Sequence, residues 1–200
     1  FMVLLAAFHA WLQRHAGLDT IRVGIPTANR HLPETQQVVG LFVNTLVVQS
    51  KVDEARSLDA LFAQVRESVL QAQSHPDMPF DHLVEVLHPE RHYGVHPVFQ
   101  VMFNHLRQSR SDAETWPRLA IERLHFAEPD AQFELTLQTV EDEQGTVTVR
   151  FACARELFDA QTMVRMVGRY VALLRQMADA GTARGRIDGF SLLMPDEQRQ

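Results

Sequence analysis

The stretch HPDMPFDHLVEVLHPER, residues 75–91, sets three histidines among four carboxylates. Imidazoles and carboxylates ligate zinc and pass protons near neutral pH, so spacing decides between that chemistry and a solvated surface. His75, His82 and His88 are seven and six residues apart, which an unbroken helix would bring roughly to one face. Pro76, Pro79 and Pro89 forbid such a helix. His88, His92 and His96 repeat every four residues, but Pro89 and Gly94 interrupt the helix that this ligand spacing needs. Asp81 and Glu85, with His82 beside them, fit the water-facing side of a short helix. Without HExxH or CxxC, no metal site is expected here.

Other chemistry-bearing patterns are also lacking. The sequence holds no GxSxG, no glycine-rich phosphate loop and no Walker motif. Cys153 is the only cysteine, which excludes an internal disulfide, and its place in the alternating run TVTVRFACA suits a packed strand residue. That fits a reducing, cytoplasmic setting. The net charge of −6 over 200 residues opposes a general attraction to nucleic acid or anionic membrane. Lys51 is the only lysine, so any cationic patch must be built from arginine. No apolar run reaches the 18 residues of a spanning helix, and FMVLLAAFHAWL lacks a basic leader and a cleavage site.

The positioning elements follow from periodicity. Residues 2–16 carry helical spacing and end at Gly17. TIRVGI predicts a strand, residues 26–38 a long loop, and LFVNTLVVQ a β-branched strand. Ser57 caps a predicted helix to Ser74, with a stripe of Leu58, Leu61, Phe62, Val65, Val69 and Leu70. Pro79 suits the first turn of the helix PFDHLVEVL. VFQVMFNHL and LAIERLHF are predicted strands, and FELTLQTV and TVTVRFACA form a predicted hairpin across EDEQG. Asp159 caps a last helix to about Ala180, with a stripe of Met163, Val167, Tyr170, Val171, Leu174 and Met177. This mixture predicts an α/β domain, one sheet covered by helices.

Four stretches in order, VGIPTANR (23–30), VVGLFVNTLVV (38–48), HPDMPFDHLVEVLHPER (75–91) and HPVFQVMFNH (96–105), resemble successive motifs in the C-terminal half of condensation domains of nonribosomal peptide synthetases. QFELTL (132–137), ELFDAQTMVRMVGRYVALLRQM and FSLLMPDEQRQ are similar to later segments of that family and to its run toward adenylation domains. The resemblance implies a two-layer α/β sandwich, a chloramphenicol-acetyltransferase-like lobe with a mixed sheet covered by helices. It implies that residues 1–190 form the C-terminal lobe of a two-lobed domain and that 191–200 begin a linker. The family signature His-His-x-x-x-Asp-Gly does not occur in this sequence, so no catalytic residue is expected in this lobe.

The implied reaction joins two carrier-tethered thioesters, and its substrates arrive on the 4′-phosphopantetheine of carrier proteins with no cofactor bound to the lobe itself. The implied partners are the N-terminal lobe, upstream and downstream peptidyl carrier proteins and an adjacent adenylation domain, with neither nucleic acid nor membrane. By resemblance, Arg30 pairs across the cleft with the signature aspartate, residues 24–40 include a floor bridging the lobes, and the hairpin at 132–150 acts as a latch. Gln132 and Glu134 depart from the family's Lys and Asp at that point. Asn44 and Asn104 are amides inside apolar strands, each either a structural hydrogen-bonder or a cleft contact, with Asn104 the stronger cleft candidate. Arg107, Arg110, Arg118 and Arg123 are the candidate carrier-docking cluster. Three readings stay open: a condensation lobe, standard or of the dual epimerisation/condensation type; a stand-alone acyltransferase; and a noncatalytic docking domain.

Overall fold

A computed structural model describes residues 1–52, 57–90, 94–107, 131–179 and 189–191. Five strands form one sheet in the order β2-β1-β3-β4-β5: β1 (Thr20–Thr27), β2 (Asn44–Lys51), β3 (Val101–Arg107), β4 (Leu135–Glu141) and β5 (Val147–Cys153). β1 pairs antiparallel with β2 and parallel with β3, β3 is parallel to β4, and β4 and β5 form an antiparallel hairpin. The sheet is mixed, and the helices are α1 (Met2–Ala16), α2 (Leu58–Gln73), α3 (Phe80–Leu87) and α4 (Ala160–Ala178). No described helix is long and apolar enough to cross a membrane.

The core lies between the sheet and α1, α2 and α4. Leu5 to Gln13 of α1 are buried without interruption, because the helix lies against the sheet between α2 and α4. Phe8 and Trp11 meet Phe151 and Tyr170 in an aromatic cluster, with ring centroids 5.5–6.3 Å apart. Tyr170 donates its hydroxyl to the Leu4 carbonyl at 2.9 Å, and burial pushes its pKa up. The caps form where they are expected. Ser57 Oγ accepts from Ala60 N at 3.3 Å, Asp159 Oδ1 accepts from Thr162 N at 2.8 Å, and Gly17 closes α1 in the left-handed region.

Several boundaries differ from the sequence expectation. β2 begins at Asn44 rather than Leu41, because 41–43 belong to an outward loop. β3 begins at Val101 rather than Val98, because Phe99 turns down onto Gly24. Pro79 is the N-cap residue of α3 rather than part of its first turn. The α4 stripe is Met166, Tyr170, Leu173 and Met177, while Val167 and Val171 are only half-buried. Its apolar residues span more than one face, and the packing against α1 selects among them. The expected strand LAIERLHF lies outside the described residues.

Candidate functional site

Arg30 follows β1 and is half-buried. Its Nη1 donates to the carbonyls of Thr35 and Val38, the latter at 2.8 Å, and its Nη2 donates to that of Gly40 at 3.0 Å. The guanidinium also lies 4.3 Å from the centre of the Phe42 ring. One side chain thus holds the loop between β1 and β2 from inside, and the apolar residues of that loop turn outward. Val39 is fully exposed at 101%, Leu41 is 90% exposed, and Leu32, Val38 and Val43 are exposed as well. The Nε hydrogen and one Nη2 hydrogen take no part in those carbonyl bonds, which leaves donors for a carboxylate.

Asn44, at the start of β2, is a structural hydrogen-bonder. Its Nδ2 donates to the carbonyls of Pro76 and Met78 at 2.9 and 2.8 Å, and its Oδ1 accepts from Thr45 N and Phe80 N at 2.9 and 3.2 Å. All four bonding positions of the amide are filled. The bond to Phe80 N satisfies a first-turn donor of α3 that the N-cap Pro79 cannot. This anchors the histidine-rich stretch: Val84 packs inward, while Asp81, His82 and Glu85 face water. His75 and His88 are exposed too, and among the described residues no three His, Cys, Asp or Glu side chains converge as a metal-binding group.

Asn104 sits on the central strand β3. Phe103 and His105 face α1, since the Phe1 ring lies 5.5 Å from Phe103 and 6.1 Å from His105. Strand alternation puts Met102 and Asn104 on the opposite face. Over β1 that opposite face is covered by Phe99, packed with Phe80, His96 and Phe133 at 4.4–5.5 Å. Asn104 is half-exposed, beside Gln138 of β4. Two grooves of about 400 and 320 Å³ lie along the sheet near Arg22, and neither is lined by Arg30, Asn44 or Asn104. Neither of these two grooves therefore brings the three candidate residues together.

Arg107 ends β3 with its side chain exposed, 3.4 Å from Glu141, which is also 3.5 Å from His105. Arg110, Arg118 and Arg123 lie outside the described residues. The hairpin expected as a latch is the edge of the sheet, and its tip is closed by Asp142 Oδ1 accepting from Gln144 N and Thr146 N at 2.9 and 2.8 Å. Sequence reasoning missed His9, which is wholly buried on α1 with Nδ1 bonded to Ser50 Oγ at 2.5 Å. Burial pushes its pKa down to about 3, so this imidazole is neutral. Its helical spacing from Leu5 and Leu12 was the available signal.

The fold defined by this geometry is an α/β lobe whose mixed sheet has its main helices on one face. It matches solved condensation-domain structures of the chloramphenicol-acetyltransferase-like fold. Superposition on a four-domain nonribosomal peptide synthetase, determined in its holo form with AMP and glycine, gives a TM-score of 0.87 at 23% identity over 100% of this chain and 16% of that one. The X-domain from teicoplanin biosynthesis, in complex with OxyB, gives 0.84 at 21% over 96% of this chain and 42% of that one. The family model for the condensation domain matches residues 1–200, and this chain belongs to that family. Among curated relatives, tyrocidine synthase 3 of Brevibacillus parabrevis is 37% identical over 100% of this chain and 3% of its own length. Surfactin synthase subunit 1 of Bacillus subtilis (strain 168) is 34% identical over 89% of this chain and 5% of its own. The chain thus spans a few per cent of the length of the curated relatives it matches.

Proposed function

We propose that the chain is the C-terminal half of a nonribosomal peptide synthetase condensation domain and forms wall, floor and latch of a cleft closed by an N-terminal lobe. In the proposed reaction, an aminoacyl amine on one carrier attacks the acyl or peptidyl thioester on another. A C–N bond forms, the C–S bond breaks, and the amine proton is transferred as the thiol leaves. Such a step needs two aligned arms, a group that handles the proton and donors for the developing oxyanion. The sequence has no His-His-x-x-x-Asp-Gly string, so the proton-handling group is assigned to the other lobe.

The observation that carries this reading is the loop held by Arg30. Exposed Val39 and Leu41 on a loop held from within make an apolar surface suited to burial against another body. Arg30 keeps donors for the aspartate of the partner lobe, consistent with a pair across the cleft. Asn104 then faces the cleft, and Asn44 supports its wall. Carrier docking through Arg107, Arg110, Arg118 and Arg123 belongs to the same reading, with the charge of Arg107 tempered by Glu141.

The test is condensation between two loaded carrier proteins, measured with this chain alone and with the chain joined to an N-terminal lobe bearing the signature. Turnover by the joined protein and none by the chain alone is the expected result. Turnover by the chain alone would refute the division of labour, and failure of a well-folded joined protein would favour a noncatalytic docking domain.

A further inference from the structure

The face of the sheet opposite α1 is partly roofed by α3, whose Phe80 packs on Phe99 with ring centroids 5.5 Å apart. Between the C-terminal half of α3 and the start of the sheet a groove of about 400 Å³ stays open. Val47, Leu83, Leu87, Pro97 and Val98 give it an apolar lining, and Leu87 is 55% exposed. Arg22 of β1 and Gln49 of β2 supply its polar groups. The two stand directly opposite each other in the β1–β2 register, and they point to this face because Ile21, Val23, Val48 and Ser50 are buried on the other. Arg22 Nε donates to Gln49 Oε1 at 2.9 Å, which orients the guanidinium. The Nη hydrogens of Arg22 and the side-chain amide hydrogens of Gln49 are left without a partner among the described residues. Glu134 lines the adjoining groove of about 320 Å³, which shares Arg22, but among the described residues it makes no ion pair with it.

We propose that this groove binds a small apolar carboxylate, with the acid group held by Arg22 and Gln49 and the hydrocarbon body laid on Val47, Leu83, Leu87, Pro97 and Val98. The site goes beyond the reaction proposed above and does not depend on it. Charge and lining select the ligand class. A guanidinium with its fork open takes a carboxylate in a bidentate pair, and the Gln49 amide adds a donor beside it. An apolar lining of a few hundred Å³ with a small number of convergent polar groups is the pattern of small-molecule sites. An inorganic anion would leave the apolar lining uncovered, and a neutral hydrocarbon would gain nothing from the guanidinium. A peptide strand added at the sheet edge would read the β2 backbone and reach Val47 and Gln49, but Arg22 lies one strand further in. Glu134 opposes the bound charge from the adjoining groove, and this like-charge repulsion limits the affinity.

The experiment titrates the isotope-labelled chain with phenylpropionate, with phenylpropanol as its uncharged counterpart, with acetate, and with a blocked Leu-Leu-Asp tripeptide, following backbone amide and methyl signals. Concentrations up to about 20 mM are appropriate, because a ligand of roughly ten non-hydrogen atoms on an open groove binds at the millimolar level. Phenylpropionate should give saturating shifts in β1, β2, α3 and residues 97–98, and should bind more tightly than phenylpropanol or acetate. Arg22→Gln should weaken phenylpropionate about fivefold, as expected for one exposed charge-assisted contact, and leave phenylpropanol unchanged. Leu87→Ser should weaken both. Arg22 and Leu87 are exposed, so both variants should fold, and unchanged signals away from the groove check that they do. Absence of saturating shifts around the groove, binding of phenylpropanol or acetate as tight as that of phenylpropionate, or an equal effect of Arg22→Gln on both phenyl compounds would overturn the proposal. Tighter binding of the tripeptide than of phenylpropionate would overturn it as well, by assigning the groove to an acidic protein segment.

Discussion

The side chain of Asn44 caps a helix that begins 36 residues later, its Oδ1 accepting from Phe80 N at 3.2 Å while its Nδ2 holds the carbonyls of Pro76 and Met78. The N-cap residue Pro79 has no side-chain acceptor to offer, and Asn44 supplies one from the neighbouring strand. Asn44→Leu should leave those groups without their partner and cost about 2–3 kcal/mol, with α3 loosening first. Asn44→Asp should lose the two donated bonds and keep the accepted ones. Hydrogen exchange at residues 78–84 together with the thermal midpoint checks this; unchanged exchange there would show that the amide is dispensable.

Arg30 has three backbone acceptors and an aromatic face within its own loop, so its replacement acts before any partner lobe is considered. Arg30→Ala should speed exchange of amides in 31–42 several-fold and lower stability by about 1 kcal/mol, a half-exposed set of contacts being worth no more. Arg30→Lys should restore little, since an ammonium cannot span the same carbonyls or stack flat on Phe42. Equal exchange in all three proteins would mean that the loop holds itself.

Stability should fall on mild acidification because of His9. Burial holds its folded-state pKa at about 3, below the 6.5 of an exposed imidazole. Between those values the unfolded chain binds a proton that the folded chain refuses, so stability is full above about pH 6.5 and declines as pH drops toward 3. At pH 5 the loss is about 2 kcal/mol. Burial lowers His15, His96 and His105 in the same sense. Denaturant unfolding of wild type and His9→Asn across pH 5–8 tests the point: the variant should show a shallower slope whatever its absolute stability.

Gly24 is required by contact. A Cβ on Gly24 would come 2.4 Å from Cε2 of Phe99, and that ring is buried among Phe80, His96 and Phe133 with no room to retreat. Gly24→Ala should cost about 1–3 kcal/mol as an overpacked core site. The double variant Gly24→Ala, Phe99→Leu should recover part of it, and additive losses in a double-mutant cycle would deny the clash.

The residues around each helix and turn carried the local structure. Ser57 and Asp159 capped where they stood, Gly17 and Gly145 took positive φ at a helix end and a hairpin turn, and alternation marked β4 and β5. The family resemblance rested on motifs of the same local kind, and the condensation-domain match over residues 1–200 bears it out. Which of the two open roles Asn44 takes was decided only by tertiary structure, because its partners sit 32 to 36 residues away and no periodicity encodes them. The pairing of His9 with Ser50, 41 residues apart, is of the same kind. The expected α4 stripe holds at Tyr170 and Met177, with Met163 and Leu174 packed beside them, but the packing also buries Met166 and Leu173, since a helix rich in apolar residues is oriented by what packs on it. The place of Asn104 beside Gln138 depends on the register of parallel β3 and β4. Parallel strands are joined by a crossover rather than a tight turn, so sequence spacing leaves their register open, and packing of both faces of the sheet sets it.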